Sequence, residues 1–132
     1  MCYTQTIRGD YMKKVMRTEQ ETLLDIQSGG VSFLGYYIGD LLSRIEELDD
    51  KVTKQNLIDE YFLNQHCFSD KKENGTRTRV NAAIRIIKSE KVIYVLKQVI
   101  NSDYRVQKES KQKAMQTLEM LESGQMKLPT LN

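Results

Sequence analysis

Arg77, Asn81, Arg85 and Lys88 are the side chains whose types and spacing speak most directly of chemistry. At 100° per residue they fall within one helical sector of about 80°. Val80, Ala83, Ile84 and Ile87 take the other side. One face of such a helix can enter a core while the other presents Arg, Asn, Arg and Lys in a row. Arg79, Lys91 and Lys97 flank the row. Lys and Arg neutralise phosphates and release counterions, which supplies affinity for nucleic acid. Arg can form two hydrogen bonds with guanine, and Asn two with adenine, in the major groove. A helix N-terminus adds unpaired N–H groups and a favourable dipole. Ala82 and Ala83 would let the helix approach its neighbours closely. The competing reading is an ordinary solvated face, because charge pattern alone is a weak signal.

Other combinations carry less. His66-Cys67, even with Cys2, does not make a zinc site: the chain has one His, and neither Cys belongs to a C-x2-C pair. Adjacent residues seldom aim their side chains at one another, so His66 and Cys67 do not read as base and nucleophile. His66 fits a helix end near the C-terminal dipole. Gly29-Gly30 lacks the Lys-Ser/Thr of a phosphate loop. Arg8-Gly9-Asp10 and Asn74-Gly75-Thr76 match an integrin-recognition tripeptide and a glycosylation acceptor, and with no secretion signal both read as chance. Tyr36, Tyr37 and Tyr61 could stack on bases, but beside Leu and Ile at helical spacing they read as core. Tyr104 stands next to Arg105 in the basic half. No catalytic residue, metal or cofactor is expected, and the chain does not read as an enzyme.

These residues need a scaffold, and the totals bound it. A chain of 132 residues suits one domain with one core. Its 39% apolar and 29% charged residues are ordinary for a folded protein. One Pro favours helices over many short strands. No stretch reaches the roughly 18 to 20 apolar residues of a membrane span. The first residues lack a signal-peptide apolar region, and two Cys are too few for a disulfide scaffold, so a reducing cytoplasm is the expected location. The net charge of +2 hides an asymmetry. Residues 17–60 hold 4 basic and 10 acidic groups; residues 71–113 hold 12 basic and 4 acidic ones. Such a split points to an anionic partner, or to two halves whose charges meet.

Thr18 and Glu21 form a capping box for a helix over 19–28, which Gly29-Gly30 breaks. Leu34, Tyr37, Ile38, Leu41, Ile45 and Leu48 recur at steps of 3 and 4 and predict a helix from Ser32 to about Leu48. Gly35 and Gly39 make a small patch on it, suited to close packing of another helix. Thr53 caps a third helix over 54–65. Residues 66–76 read as a polar loop, with a tight hairpin at Asn74-Gly75 left open. Thr76 or Thr78 caps the fourth helix, to Ser89. A fifth follows from Ser89 with Val92, Ile93, Val95, Leu96, Val99 and Ile100, a strand being the alternative. A last helix spans 106–122, with Ala114, Met115, Leu118 and Leu121 inward and Gly124 as its stop.

The expected fold is mainly α: a compact bundle of five to six helices in a single domain over 1–132, with room for a short N-terminal strand or a hairpin near 66–76. Residues 1–16 fit an arm and 125–132 a C-terminal tail lying over the surface. The leading functional reading is a small non-enzymatic nucleic-acid-binding protein, a regulator or accessory protein of double-stranded DNA. It would use Arg77, Arg79, Asn81, Arg85, Lys88 and Lys91 on the helix at 77–89. The loop of about 11 residues before that helix is longer than the 3 to 4 of a compact helix-turn-helix. The alternative is a protein-protein interaction module, an adaptor or inhibitor acting through the acidic helices at 19–60, or a homodimer through Gly35 and Gly39. No membrane partner is expected. Ion pairing of Arg77, Arg85 and Lys88 with the first half would take most support from the first reading.

Overall fold

The computed structural model describes residues 12–102 and 106–132. The expectations for residues 1–11, and for Tyr104 and Arg105, lie outside the described residues. Helices dominate, and no strand occurs among the described residues. The order is α1 (Glu19–Gly29), α2 (Val31–Arg44), a 3-10 turn (Ile45–Asp49), α3 (Lys51–Leu63), α4 (Glu73–Lys88), α5 (Val92–Ile100) and α6 (Lys108–Ser123).

The capping box forms as the sequence predicts. The Thr18 hydroxyl accepts from the Glu21 N–H at 3.1 Å, and the Thr18 N–H donates to the Glu21 carboxylate at 2.9 Å. Behind this cap α1 docks through a polar face. Thr22 and Asp25 are buried, while Leu23 and Leu24 are exposed. Gly30, at φ 83°, separates α1 from α2 and caps α2 in place of the expected Ser32. A side chain at Gly30 would be strained and would bring its Cβ to 2.7 Å from Arg79 Nη1.

Helix α2 is the centre of the bundle and touches α1, α4, α5 and α6. Phe33, Leu34, Ile38 and Leu41 along it are fully buried, and Ile45 and Leu48 continue the stripe into the 3-10 turn. Its glycines receive α6. A Cβ at Gly35 would meet Ser110 O at 2.9 Å, and one at Gly39 would meet Thr117 Oγ1 at 2.7 Å. The patch that could have served a second copy of the chain is thus covered by the chain's own α6. The Ser110 hydroxyl, fully buried, donates to Ser32 O at 2.6 Å and pins the two helix starts together. Gly35→Ala is expected to cost about 1–3 kcal/mol through overpacking. A lower denaturant midpoint at unchanged m-value would show it, and an unchanged midpoint would refute the close approach.

Other boundaries move for local reasons. Asp50, not Thr53, caps α3: its carboxylate accepts from the Thr53 N–H at 2.9 Å and the Thr53 hydroxyl at 2.8 Å. No hairpin forms at Asn74-Gly75, because both residues already lie in the first turn of α4. Thr76 is buried inside that turn and donates to Asp70 at 3.1 Å, so it is not the cap. Residues 92–100 are helical despite their β-branched content, since 3–4 spacing buries Val92, Val95, Leu96 and Val99 together. Gly124 stops α6 at φ 83° as predicted, and Met115, expected inward, is exposed. The segment after Gly124 runs beside residues 12–14. Met12 donates to Thr130 O at 3.0 Å, Asn132 returns a bond to Met12 O at 2.8 Å, and Val15 is tied to Lys88 O at 2.9 Å. Met12 is buried, so the described end of the expected arm is docked.

Candidate functional site

The basic row exists on α4 and is occupied by acids. Val80, Ala82, Ala83, Ile86 and Ile87 bury one side of the helix, and the Arg, Asn, Arg, Lys row emerges at the seams with α1 and α3. Arg77 Nη2 donates to Gln55 Oε1 at 2.6 Å and to Glu73 Oε2 at 2.7 Å. Arg85 Nε donates to Asp25 Oδ1 at 2.8 Å. Asp25, its side chain only 2% exposed, also takes Arg17 Nε at 3.0 Å and Nη2 at 2.8 Å. Lys88 Nζ reaches Asp49 Oδ1 at 2.8 Å. The two oppositely charged halves therefore meet along α4. Asn81 stands half-buried within the row.

Arg79 does not belong to this face. Its guanidinium forks onto Asp70, with Nε to Oδ2 at 3.0 Å and Nη2 to Oδ1 at 3.1 Å. Nη1 donates to Gly29 O at 2.8 Å, and the group lies 5.4 Å from the Phe68 ring centroid. It clamps the α3–α4 connection to the end of α1. Lys91 sits beyond α4, after the turn at Glu90 (φ 61°), where its N–H bonds Ile86 O at 3.1 Å and it caps α5.

Lys54 joins the row from α3, and the sequence pattern did not single it out. Two neighbours bracket it: Asp49, the last residue of the 3-10 turn before α3, meets Lys88, and Gln55 meets Arg77. Burial holds the Lys54 ammonium below its usual pKa, and the neighbouring charges of Arg77, Lys88 and Arg85 lower it further, with Asp49 opposing them. The signal in the sequence was only Lys54 one residue from Gln55, meaningful once α3 and α4 are known to run side by side.

A second feature lies on the opposite side of α2. A cleft of about 580 Å³ opens between α2, α3 and α6. Such a volume falls in the range of ligand pockets. Tyr36 and His66 stack with centroids 5.3 Å apart and planes 11° apart, and Lys113 Nζ lies 5.2 Å from the Tyr36 centroid. The Tyr61 hydroxyl donates to Asp40 at 2.5 Å. Arg44 forks onto Glu60 at 3.1 and 2.6 Å and lies 3.3 Å from Asp40. These bonds fix one wall. Tyr36 is half-buried at the cleft, whereas Tyr37 and Tyr61 are core residues as their spacing suggested.

The titrations of this region suit holding a ligand better than transferring protons. Burial raises the Tyr61 phenol, and its bond to Asp40 raises it further. Arg44 is raised by its hydrogen bond to Glu60, whose own carboxyl that bond lowers. Burial also raises the Cys67 thiol, so it is not an activated thiolate. Burial pushes Tyr37 from 10.0 up to about 12, against the bond its oxygen accepts from the His66 N–H. A raised folded-state pKa stabilises the fold fully below the unfolded value. That stability is lost as pH climbs from 10.0 to about 12. Tyr61, also raised, loses stability over the same rise in pH, so alkaline unfolding is expected to be blunted but not abolished in Tyr37→Phe; the same pH profile in both proteins would refute the assignment.

Among the described residues no group of three or more His, Cys, Asp or Glu could hold a metal ion. No described helix is long and apolar enough to cross a membrane. Compared with known proteins, the chain matches no family model, no curated protein and no solved structure at a significant level.

Proposed function

We propose that the protein is a non-enzymatic protein-interaction module, an adaptor or inhibitor, that takes a segment of a partner polypeptide into the cleft between α2, α3 and α6. The observation that carries this reading is the cleft itself. It is large enough for one or two side chains, walled by Tyr36 and Tyr61, and stiffened by the Asp40–Arg44–Glu60 pairs. Aromatic rings beside a few oriented polar groups are the usual anatomy of a recognition pocket. Lys113 has no carboxylate within ion-pair distance among the described residues, so a partner carboxylate could meet it at the rim. Glu46 and Glu47 are exposed on the 3-10 turn and do not line the cleft. The informative substitutions are therefore Tyr36→Ala and Lys113→Glu. Peptides selected from a displayed random library against the full chain should lose binding to the double variant. Peptides that bind wild type and the double variant equally would overturn the reading.

The nucleic-acid reading stands second. It is favoured by the gathering of Lys54, Arg77, Arg85 and Lys88 on the α3–α4 face, where Lys54 makes no ion pair among the described residues. Under this reading the protein is a DNA-binding regulator or accessory protein, and its affinity for duplex DNA falls steeply with added salt.

A further inference from the structure

Five cations, Arg17, Lys54, Arg77, Arg85 and Lys88, meet four carboxylates, Glu21, Asp25, Asp49 and Glu73, along the α3–α4 face and its α1 edge. The acids hold the arginines without consuming them. Arg85 engages Asp25 through Nε, and Arg77 uses Nη2 for both of its bonds. A guanidinium has five N–H donors, so each keeps several without an acceptor among the described residues. One of the two groups Arg77 contacts is a neutral amide. The Asp49 carboxylate that holds Lys88 is 65% exposed, so a bound anion can displace it at small cost. Two seams fix the position of Lys54: Lys88 with Asp49, and Arg77 with Gln55. Lys54 lies close enough to Arg77, Lys88 and Arg85 for their charges to act on it.

We infer that Lys54, Arg77, Asn81, Arg85 and Lys88 form a phosphate-binding site, the backbone phosphate of a nucleic acid being the source it fits. This rests on the second functional reading and names its contact residues. The forked donors of arginine match phosphate oxygens, the Asn81 amide adds a neutral donor, and Lys54 supplies the compact charge. A bound phosphate also removes the mutual repulsion of the four cations.

The probes are a 16-base-pair duplex and tripolyphosphate, titrated into the isotopically labelled full chain and followed by amide and side-chain shifts. Lys54→Gln and Asn81→Ala are the informative variants, because neither residue forms an ion pair that holds the fold. Lys71→Gln, on the exposed α3–α4 connection, is the control. Each informative variant should weaken binding of both probes about tenfold, as loss of one charge-assisted or amide bond implies, while Lys71→Gln does not. Tripolyphosphate binding with the same losses, but no duplex binding, keeps the phosphate site and removes the nucleic-acid reading. Duplex binding that both variants leave unchanged overturns the site and keeps that reading. Absence of binding by either probe at low salt overturns both.

Discussion

Replacing Arg17 and Arg85 together with alanine is expected to cost about 3–5 kcal/mol of folding stability, the cost of stranding a buried charge. Asp25 is the reason. Its side chain is 2% exposed, and both of its oxygens are held by the two guanidiniums. Each single variant leaves one guanidinium in place and should cost less, because the remaining arginine can still neutralise the carboxylate. The double should exceed the sum of the singles, since only it leaves Asp25 alone. Asp25→Ala should be milder than the double variant: it strands two arginines that are 21% and 37% exposed and can turn to water. Denaturant unfolding of the four proteins gives the comparison. A double variant that merely equals the sum of the singles would mean water reaches Asp25. The result also bears on function. Arg85→Glu would place a second carboxylate beside Asp25, so loss of nucleic-acid binding in that variant could be loss of fold. Lys54 and Asn81 carry no such burden and are the better probes.

The fold was legible where one residue's own chemistry decides the outcome. The Thr18–Glu21 box, the Leu34-to-Leu48 stripe and the Gly124 stop are local, and each appears as the pattern implies. Boundaries failed where a neighbour competed. Asp50 stands three residues before Thr53 and accepts the Thr53 N–H, so the helix begins earlier and the cap moved upstream. Thr76 was drawn inward by Asp70, which turned Asn74-Gly75 from a turn into helix. The basic row was legible as a face of α4, and the charge split raised a meeting of the two halves without naming the carboxylates. The row's partners Asp25 and Asp49 lie 60 and 39 residues away, and a helical wheel holds no information about them. The cleft was illegible for the same reason. Tyr36 and His66 are 30 positions apart in the chain and meet only because the chain after α3 folds back over α2.

Arg79 gives the sharpest separation of a charge that binds from a charge that builds. As a flanking cation it reads as a phosphate contact; in the structure three of its nitrogens are engaged by Asp70 and Gly29 O. Arg79→Ala is expected to cost about 3–5 kcal/mol. Three losses act together. Asp70, with its side chain 12% exposed, loses its counter-ion. The Gly29 carbonyl loses its donor. The packing over Phe68 goes with the side chain. Arg79→Lys should recover only part, since an ammonium cannot fork onto both carboxylate oxygens and also span to the Gly29 carbonyl. The consequence reaches α1, because Gly29 and Gly30 set its exit and Arg79 is what holds that turn against the α3–α4 connection. Hydrogen exchange should therefore quicken at the C-terminal turn of α1 and across residues 65–72 in both variants, with α6 unaffected. If Arg79→Ala instead retained wild-type stability and exchange while weakening duplex binding, Arg79 would be a nucleic-acid contact after all, and the clamp would carry no structural load.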